Sequence, residues 1–337
     1  MEGTLSLPAS LRHALARRLP SAGTRVGDPG APLGSFRALG GGCIHHAGRL
    51  DTASGPVFLK WNRGEAATGF TSEARSLEAL RAAADPDLLD VPEVIDARDG
   101  SPGAAFDPVG PMEGEEERDA GTEEGLGWLI LEYLPPSPSG PDHDARLGRG
   151  LAHLHSLPRQ DFGWPETNRI GPLPQPNPTR QRWADFWVEA RLLPQTRAAR
   201  DEGHLGPDDV ERLERVAALT PLALEPVAHD PPALVHGDLW SGTVHPGPRG
   251  RPVLVDPAAY HGHGEVDLAM ARLFGGFGRD TFRTYREIRP IPDGFAQVRC
   301  PLFQLYYLLV HVRLFGASYL GQTRAAARSV LSELGRG

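Results

Sequence analysis

The 337-residue chain is 40% hydrophobic and carries 35 basic against 43 acidic residues, for a formal net charge of −8. That composition supports a sizeable core arranged as two domains or one large bilobal unit, and it excludes wholesale disorder and nucleic-acid binding through a broad basic face. No apolar run reaches the length of a membrane span, Met1–Leu5 lack the basic-then-apolar layout of a signal peptide, and Cys43 and Cys300 make no disulfide framework, so a cytoplasmic protein without membrane or nucleic-acid partners is expected.

Leu5, Leu7, Leu11, Leu15 and Leu19 are spaced to share a helical face, which predicts a helix over 5–19 stopped by Pro20. Two strands follow, at 36–39 and 47–50, joined by the turn Gly40-Gly41-Gly42, with a third at 57–61. Residues 70–84 read as a helix with Thr71 or Ser72 near its start and Leu77 and Leu80 inward; 91–97 and 128–134 read as strands. Between those strands, 98–127 hold Gly, Pro and the acidic cluster Glu113, Glu115, Glu116, Glu117, Asp119, Glu123 and Glu124. Like charges at that density cannot bury a core, so a solvated hairpin insertion is expected. The run Pro135-Pro136-Ser137-Pro138 marks a linker from a strand-rich N-lobe, 1–134, to a mostly helical C-lobe, 135–337. In the latter, 144–157, 183–199, 207–219 and 300–320 read as helices, and 158–180 as an irregular Pro-rich stretch.

The segment His236-Gly237-Asp238-Leu239-Trp240-Ser241-Gly242-Thr243 carries the chemistry. It puts one carboxylate on a short loop, and a second, Asp256, follows the next apolar run, Val253-Leu254-Val255. This is the layout of phosphoryl transfer: one acid accepts the proton of an attacking hydroxyl, and the other holds the metal that bridges nucleotide phosphates. Lys60 ends an apolar strand and can reach phosphates, with Glu73 on the next helix as its partner. The Gly40–Gly42 turn admits a nucleotide without Cβ obstruction, or simply closes a hairpin. Cys43 follows it, and an inert packed thiol is the plainer reading of that residue. Glu132-Tyr133-Leu134 ends the last N-lobe strand, where backbone groups can meet an adenine edge. His45-His46, His153/His155 and His261/His263 lack a ligand set at zinc spacing, so no structural zinc is expected, and His236 reads as a brace within its loop.

These motifs together resemble the fructosamine kinases, or ketosamine-3-kinases, of the protein-kinase-like and aminoglycoside-phosphotransferase-like superfamily, over roughly residues 34–322. Gly41-Gly42-Cys43-Ile44 resembles the nucleotide loop, and Leu151 to His155 the first large-lobe helix. Gln175-Pro176-Asn177 with Trp183, Phe186, Arg191 and Leu192 resembles a substrate-side insertion. Trp240, the block Glu265 to Met270, Phe274-Gly275-Gly276-Phe277 and Tyr306-Tyr307 are its more distinctive marks. The resemblance implies an α+β bilobal fold with a small antiparallel sheet, and ATP with Mg2+ as cofactors. It implies phosphorylation of the 3-hydroxyl of a ketosamine, free or on a glycated protein or peptide, so that glycation is removed. Asp238 becomes the proton acceptor, Asp256 and Thr243 the metal ligands, and Lys60 with Glu73 the phosphate-positioning pair. Gly40, Gly41, Gly42, Glu132, Tyr133 and Leu134 line the nucleotide, Trp240 walls the sugar with His236 nearby, and Asp267 braces the catalytic loop.

Two positions depart from the family pattern: Thr243 and His45 each stand where asparagine is usual. A threonine hydroxyl is shorter and differently aimed than a carboxamide. Two alternatives therefore stay open: a kinase of the same fold for an aminoglycoside or other hydroxyl metabolite, and a nucleotide-binding pseudokinase. Monomer and dimer are equally compatible with the sequence.

Overall fold

The computed structural model describes residues 7–19, 33–39, 45–101 and 125–335. The expectations placed on Leu5, Pro20, Gly40, Gly41, Gly42, Cys43 and the acidic cluster at 113–124 lie outside the described residues. The described chain forms two compact units, one within 1–78 and 92–135, the other within 79–91 and 136–337.

The first unit is built on a five-stranded antiparallel sheet of order β1-β2-β3-β5-β4. Its strands are β1 (Phe36–Ala38), β2 (His46–Thr52), β3 (Gly55–Arg63), β4 (Val94–Arg98) and β5 (Leu126–Glu132). Helix α1 (Ala9–Ala16) begins later than the leucine spacing suggests. Pro8 is its N-cap, and the residue before a proline is driven from helical geometry, so Leu7 packs from outside the helix. Leu11 and Leu15 join Val57, Leu59 and Trp61 of β3 and Leu126, Trp128 and Ile130 of β5 in one core. Strand side chains alternate, so Lys60 necessarily leaves β3 on the opposite face. Helix α2 (Phe70–Ala83) is capped by Asp99, which accepts from Gly69 N at 2.9 Å, Thr71 N at 3.1 Å and Thr71 Oγ1 at 2.5 Å. Strand β4 starts at Val94 rather than 91 because Pro92 donates no ladder hydrogen bond.

In the second unit, α3 (His143–Ser156), α4 (Trp183–Phe186), α5 (Leu193–Asp201), α6 (Pro207–Ala223), α7 (Glu265–Leu273), α8 (Arg279–Ile288), α9 (Cys300–Phe315) and α10 (Leu320–Leu334) surround three short antiparallel strand pairs. The stretch expected to be irregular holds one of them, β6 (Asn168–Ile170) with β7 (Leu173–Gln175). The others are β8 (Ala233–Val235) with β11 (Tyr260–Gly262), and β9 (Val244–Pro246) with β10 (Pro252–Leu254). The helix expected over 183–199 contains a π-helical turn, Trp187–Leu192, and the one expected over 300–320 ends at Phe315, where Gly316 takes φ 70°. Among the described residues no helix is long and apolar enough to cross a membrane.

Candidate active site

In the first unit Lys60, 6% exposed, points its ammonium at Glu73 of α2, Nζ to Oε1 2.7 Å. The Asp99 cap fixes the helix that presents Glu73, and the β3 ladder fixes Lys60, so the cation is aimed before any ligand arrives. His45 stands against Phe70 at the start of the same helix, ring centroids 4.7 Å apart, with Nδ1 3.4 Å from Asn62 Nδ2. Glu132 closes β5 and bonds to Glu93 through both backbone and side chain. Tyr133 lies under the Arg49 guanidinium at 5.3 Å, and Leu134 is half-buried beside it.

In the second unit the two strand pairs deliver both aspartates. The loop carrying Asp238 runs from β8 to β9, and the loop carrying Asp256 runs from β10 to β11. The backbone groups of His236, Gly237, Asp238, Trp240 and Thr243 in the first loop are all bonded. His236 N and Gly237 N donate to the two oxygens of Asp267, at 2.7 and 2.9 Å. His236 O accepts from Ala258 N at 3.0 Å, and Gly237 O from the Tyr307 hydroxyl at 2.8 Å. Gly237 has φ 81°, and a Cβ there would meet Ala258 O at 2.1 Å, so the position admits glycine alone. His236 is buried. Its Nε2 donates to Val255 O at 3.0 Å, which leaves Nδ1 to accept from Asp238 N at 3.3 Å, and burial lowers its pKa, so the neutral ring links the two loops.

Among the described residues no hydrogen-bond donor reaches the Asp238 carboxylate. Burial first, then the negative charges of Asp256 and Asp267, push its carboxyl up to about 7. A carboxylate held near neutrality with free lone pairs is suited to accept a proton at physiological pH. Asp256 is exposed, with φ 57°, a left-handed conformation that aspartate tolerates better than most residues and that tends to occur at functional turns. Among the described residues no cluster of three or more His, Cys, Asp or Glu forms a metal cage. A single hard oxygen ligand next to a second carboxylate suits a magnesium ion that carries most of its coordination on nucleotide phosphates and water. Thr243 is 3% exposed, and its hydroxyl contacts loop carbonyls, Asp238 O at 2.9 Å and Trp240 O at 3.0 Å.

Sequence reasoning missed the layer beneath. His155 of α3 donates from Nε2 to Asp267 at 3.1 Å and accepts from the Tyr285 hydroxyl at Nδ1, 3.0 Å, a pairing that only the fold brings together. Burial works against the Asp267 charge, yet the hydrogen bonds and charges of its neighbours hold the carboxyl below its usual pKa. The residues resembling a substrate-side insertion are buried supports. Gln175 Nε2 and Asn168 Nδ2 donate to Ala258 O and Ala259 O, at 3.1 and 2.8 Å, beneath the Asp256 turn. Arg191, fully buried, donates to Asn177 Oδ1 at 2.6 Å and packs on Tyr260 at 4.1 Å. The π-helical turn carries this arginine. Beside the catalytic loop Trp240, 37% exposed, meets Phe274 edge-on, and Phe274 contacts His311, which leads to Phe315 and Tyr319.

A sheet-borne lysine braced by a helix glutamate, and two aspartates on adjoining strand-pair loops, are the parts of the protein-kinase-like phosphotransferases. Residues 28–333 match the family model for fructosamine kinase, and the chain belongs to that family. It is 36% identical over 296 residues to a probable ketoamine kinase of Synechocystis sp., covering 88% of this chain and 90% of that one. Over 298 residues it is 30% identical to the chloroplastic protein-ribulosamine 3-kinase of Arabidopsis thaliana, covering 88% and 81%. The crystal structure of a candidate fructosamine-3-kinase from Thermobifida fusca superposes with a TM-score of 0.74 at 31% identity, covering 96% and 98%. An aminoglycoside phosphotransferase in ternary complex with ADP and hygromycin B shares the fold, with a TM-score of 0.54 at 16% identity and coverage of 88% and 94%. With the family comes the class: the chain is a phosphotransferase acting on a hydroxyl acceptor.

Proposed function

We propose that the protein uses ATP to phosphorylate the 3-hydroxyl of ketosamines, ribulosamine or fructosamine adducts of amines, and so reverses glycation. The observation that carries this reading is the Asp238 carboxylate, free of donors, lifted to about 7, and mounted on a loop whose backbone is tied down from both sides. Asp238 accepts the proton of the acceptor hydroxyl as its oxygen bonds to the γ-phosphorus and ADP leaves. Lys60, held by Glu73, neutralises phosphate charge. Asp256 would hold the metal ion, which would supply charge neutralisation at the phosphates. Glu132, Tyr133 and Leu134, with Gly40, Gly41 and Gly42 from the sequence motif, are assigned to the nucleotide. Trp240 offers an apolar face to the sugar. A relative named as a protein-ribulosamine 3-kinase, and a neighbour of the same fold holding ADP, support the choice of acceptor and donor.

The test is mass spectrometry of ribulose-lysine and fructose-lysine incubated with protein, ATP and Mg2+, beside Asp238→Asn. One added phosphate with the native protein and none with the variant is the expected result. No phosphate on either adduct, with ATP still bound, would turn the assignment to another acceptor or to a pseudokinase.

A further inference from the structure

Thr243 occupies the position from which the family asparagine helps hold a metal, yet its hydroxyl is committed inside the loop. Oγ1 lies 2.9 Å from Asp238 O and 3.0 Å from Trp240 O, and it accepts from Trp240 N at 3.2 Å. A hydroxyl has one proton and two lone pairs. The proton serves one of two carbonyls, and Trp240 N takes a lone pair, in a residue only 3% exposed. The backbone of the same residue closes a second link. Thr243 N donates to Trp240 O at 3.0 Å, and Thr243 O accepts from Val255 N at 3.0 Å, one residue before Asp256. One side of Thr243 therefore fixes the peptide of the proposed base, and the other fixes the strand end that presents the proposed metal carboxylate. Thr243 thus joins the His236 bonds to Val255 O and Ala258 N in setting the separation of the two acids.

On the phosphotransferase reading above, we infer that Thr243 is a positioning residue and not a metal ligand: it holds Asp238 and Asp256 in register, and the chain keeps a single tightly bound divalent ion on Asp256. Magnesium prefers to keep water and phosphate oxygens, so one carboxylate suffices for that ion. Drawing Oγ1 into a metal shell would strip the contacts that hold the Asp238 peptide.

Mn2+ binding, followed by electron paramagnetic resonance with a non-hydrolysable ATP analogue, tests this without turnover. Steady-state kinetics on the accepted ketosamine accompany it. The native protein is expected to hold one tight Mn2+ per nucleotide-loaded chain. Thr243→Val should leave Mn2+ affinity and KM for ATP within about twofold while kcat falls about 10- to 100-fold, the penalty for a misplaced base, and Thr243→Ser should recover most of kcat. Two tight ions on the native protein overturn the inference, as does a tenfold or greater loss of Mn2+ affinity in Thr243→Val. The stoichiometry of the native protein decides even where Thr243→Val does not fold. The metal arm needs no acceptor: failure to phosphorylate any ketosamine would count against the proposed function and leave the Mn2+ result standing.

Discussion

Asp238→Asn should abolish catalysis and stabilise the protein at alkaline pH. Folding moves this carboxyl from an ordinary 3.8 to about 7. That is about three units, or about 4 kcal/mol at 1.36 kcal/mol per unit. The carboxylate is partly exposed, so its desolvation is incomplete, and solvent and salt screen the smaller repulsion from Asp256 and Asp267; about 2 kcal/mol is the expected net effect. The sign follows from linkage. A carboxyl raised on folding leaves stability whole below its unfolded pKa and removes it as pH rises through the folded value. Asparagine never ionises, so the variant escapes the loss. Thermal unfolding of both proteins from pH 5 to pH 8 should show a gap in favour of the variant, growing to about 4–8 °C at pH 8 and less than half of that at pH 5. A gap independent of pH, or a variant less stable than the native protein at pH 8, would refute the account of Asp238 as a strained, donor-starved base.

Other substitutions separate charge placement from scaffolding. Lys60→Met should lower kcat/KM for ATP about 100-fold or more in steady-state assays, the scale for losing one preorganised charge at a phosphate. Asp267→Ala strips the acceptor from His236 N, Gly237 N and His155 together, and should cost about 3–5 kcal/mol in denaturant titration along with most of the activity. Glu265→Gln breaks the buried bidentate pair with Arg299, whose contacts are 2.6 and 2.8 Å, at a similar cost in stability, while kcat of the folded fraction stays near the native value.

The sheet of the first unit was legible because Val57, Leu59 and Trp61 alternate along β3 and β5 is a continuous apolar run buried at every position but its last, and α2 was legible because Leu77 and Leu80 keep helical period. In the second unit the strands that deliver Asp238 and Asp256 are three residues each, too short for any period, so the motif located the acids while the strand pairing that presents them stayed invisible. Pro8 and Gly316 moved helix ends through backbone geometry that leucine spacing does not encode. The buried layer of His155, Gln175, Asn177 and Arg191 was hidden for another reason. A polar residue read alone suggests solvent or ligand, and only the fold shows the carbonyls and carboxylates that it serves.

The hairpin of β4 and β5 ends in two anchored residues, which bears on how the first unit takes a change in chain length. Arg98 pairs with Trp128, Gly100 N donates to Ala67 O at 2.9 Å, and Gly64 N donates to Gly125 O at 2.8 Å, so both ends of the connection 101–124 are anchored to the same neighbours. Closing a connection between anchored ends costs about 0.6 kcal/mol for each doubling in length. Replacing the connection with a four-residue turn should therefore lower that closure term by about 1.5 kcal/mol, in favour of the shorter chain. Neither anchor includes Lys60 or Glu73, so insertions can accumulate at this place in a lineage, or a reporter can be spliced there, without disturbing the phosphate-handling pair.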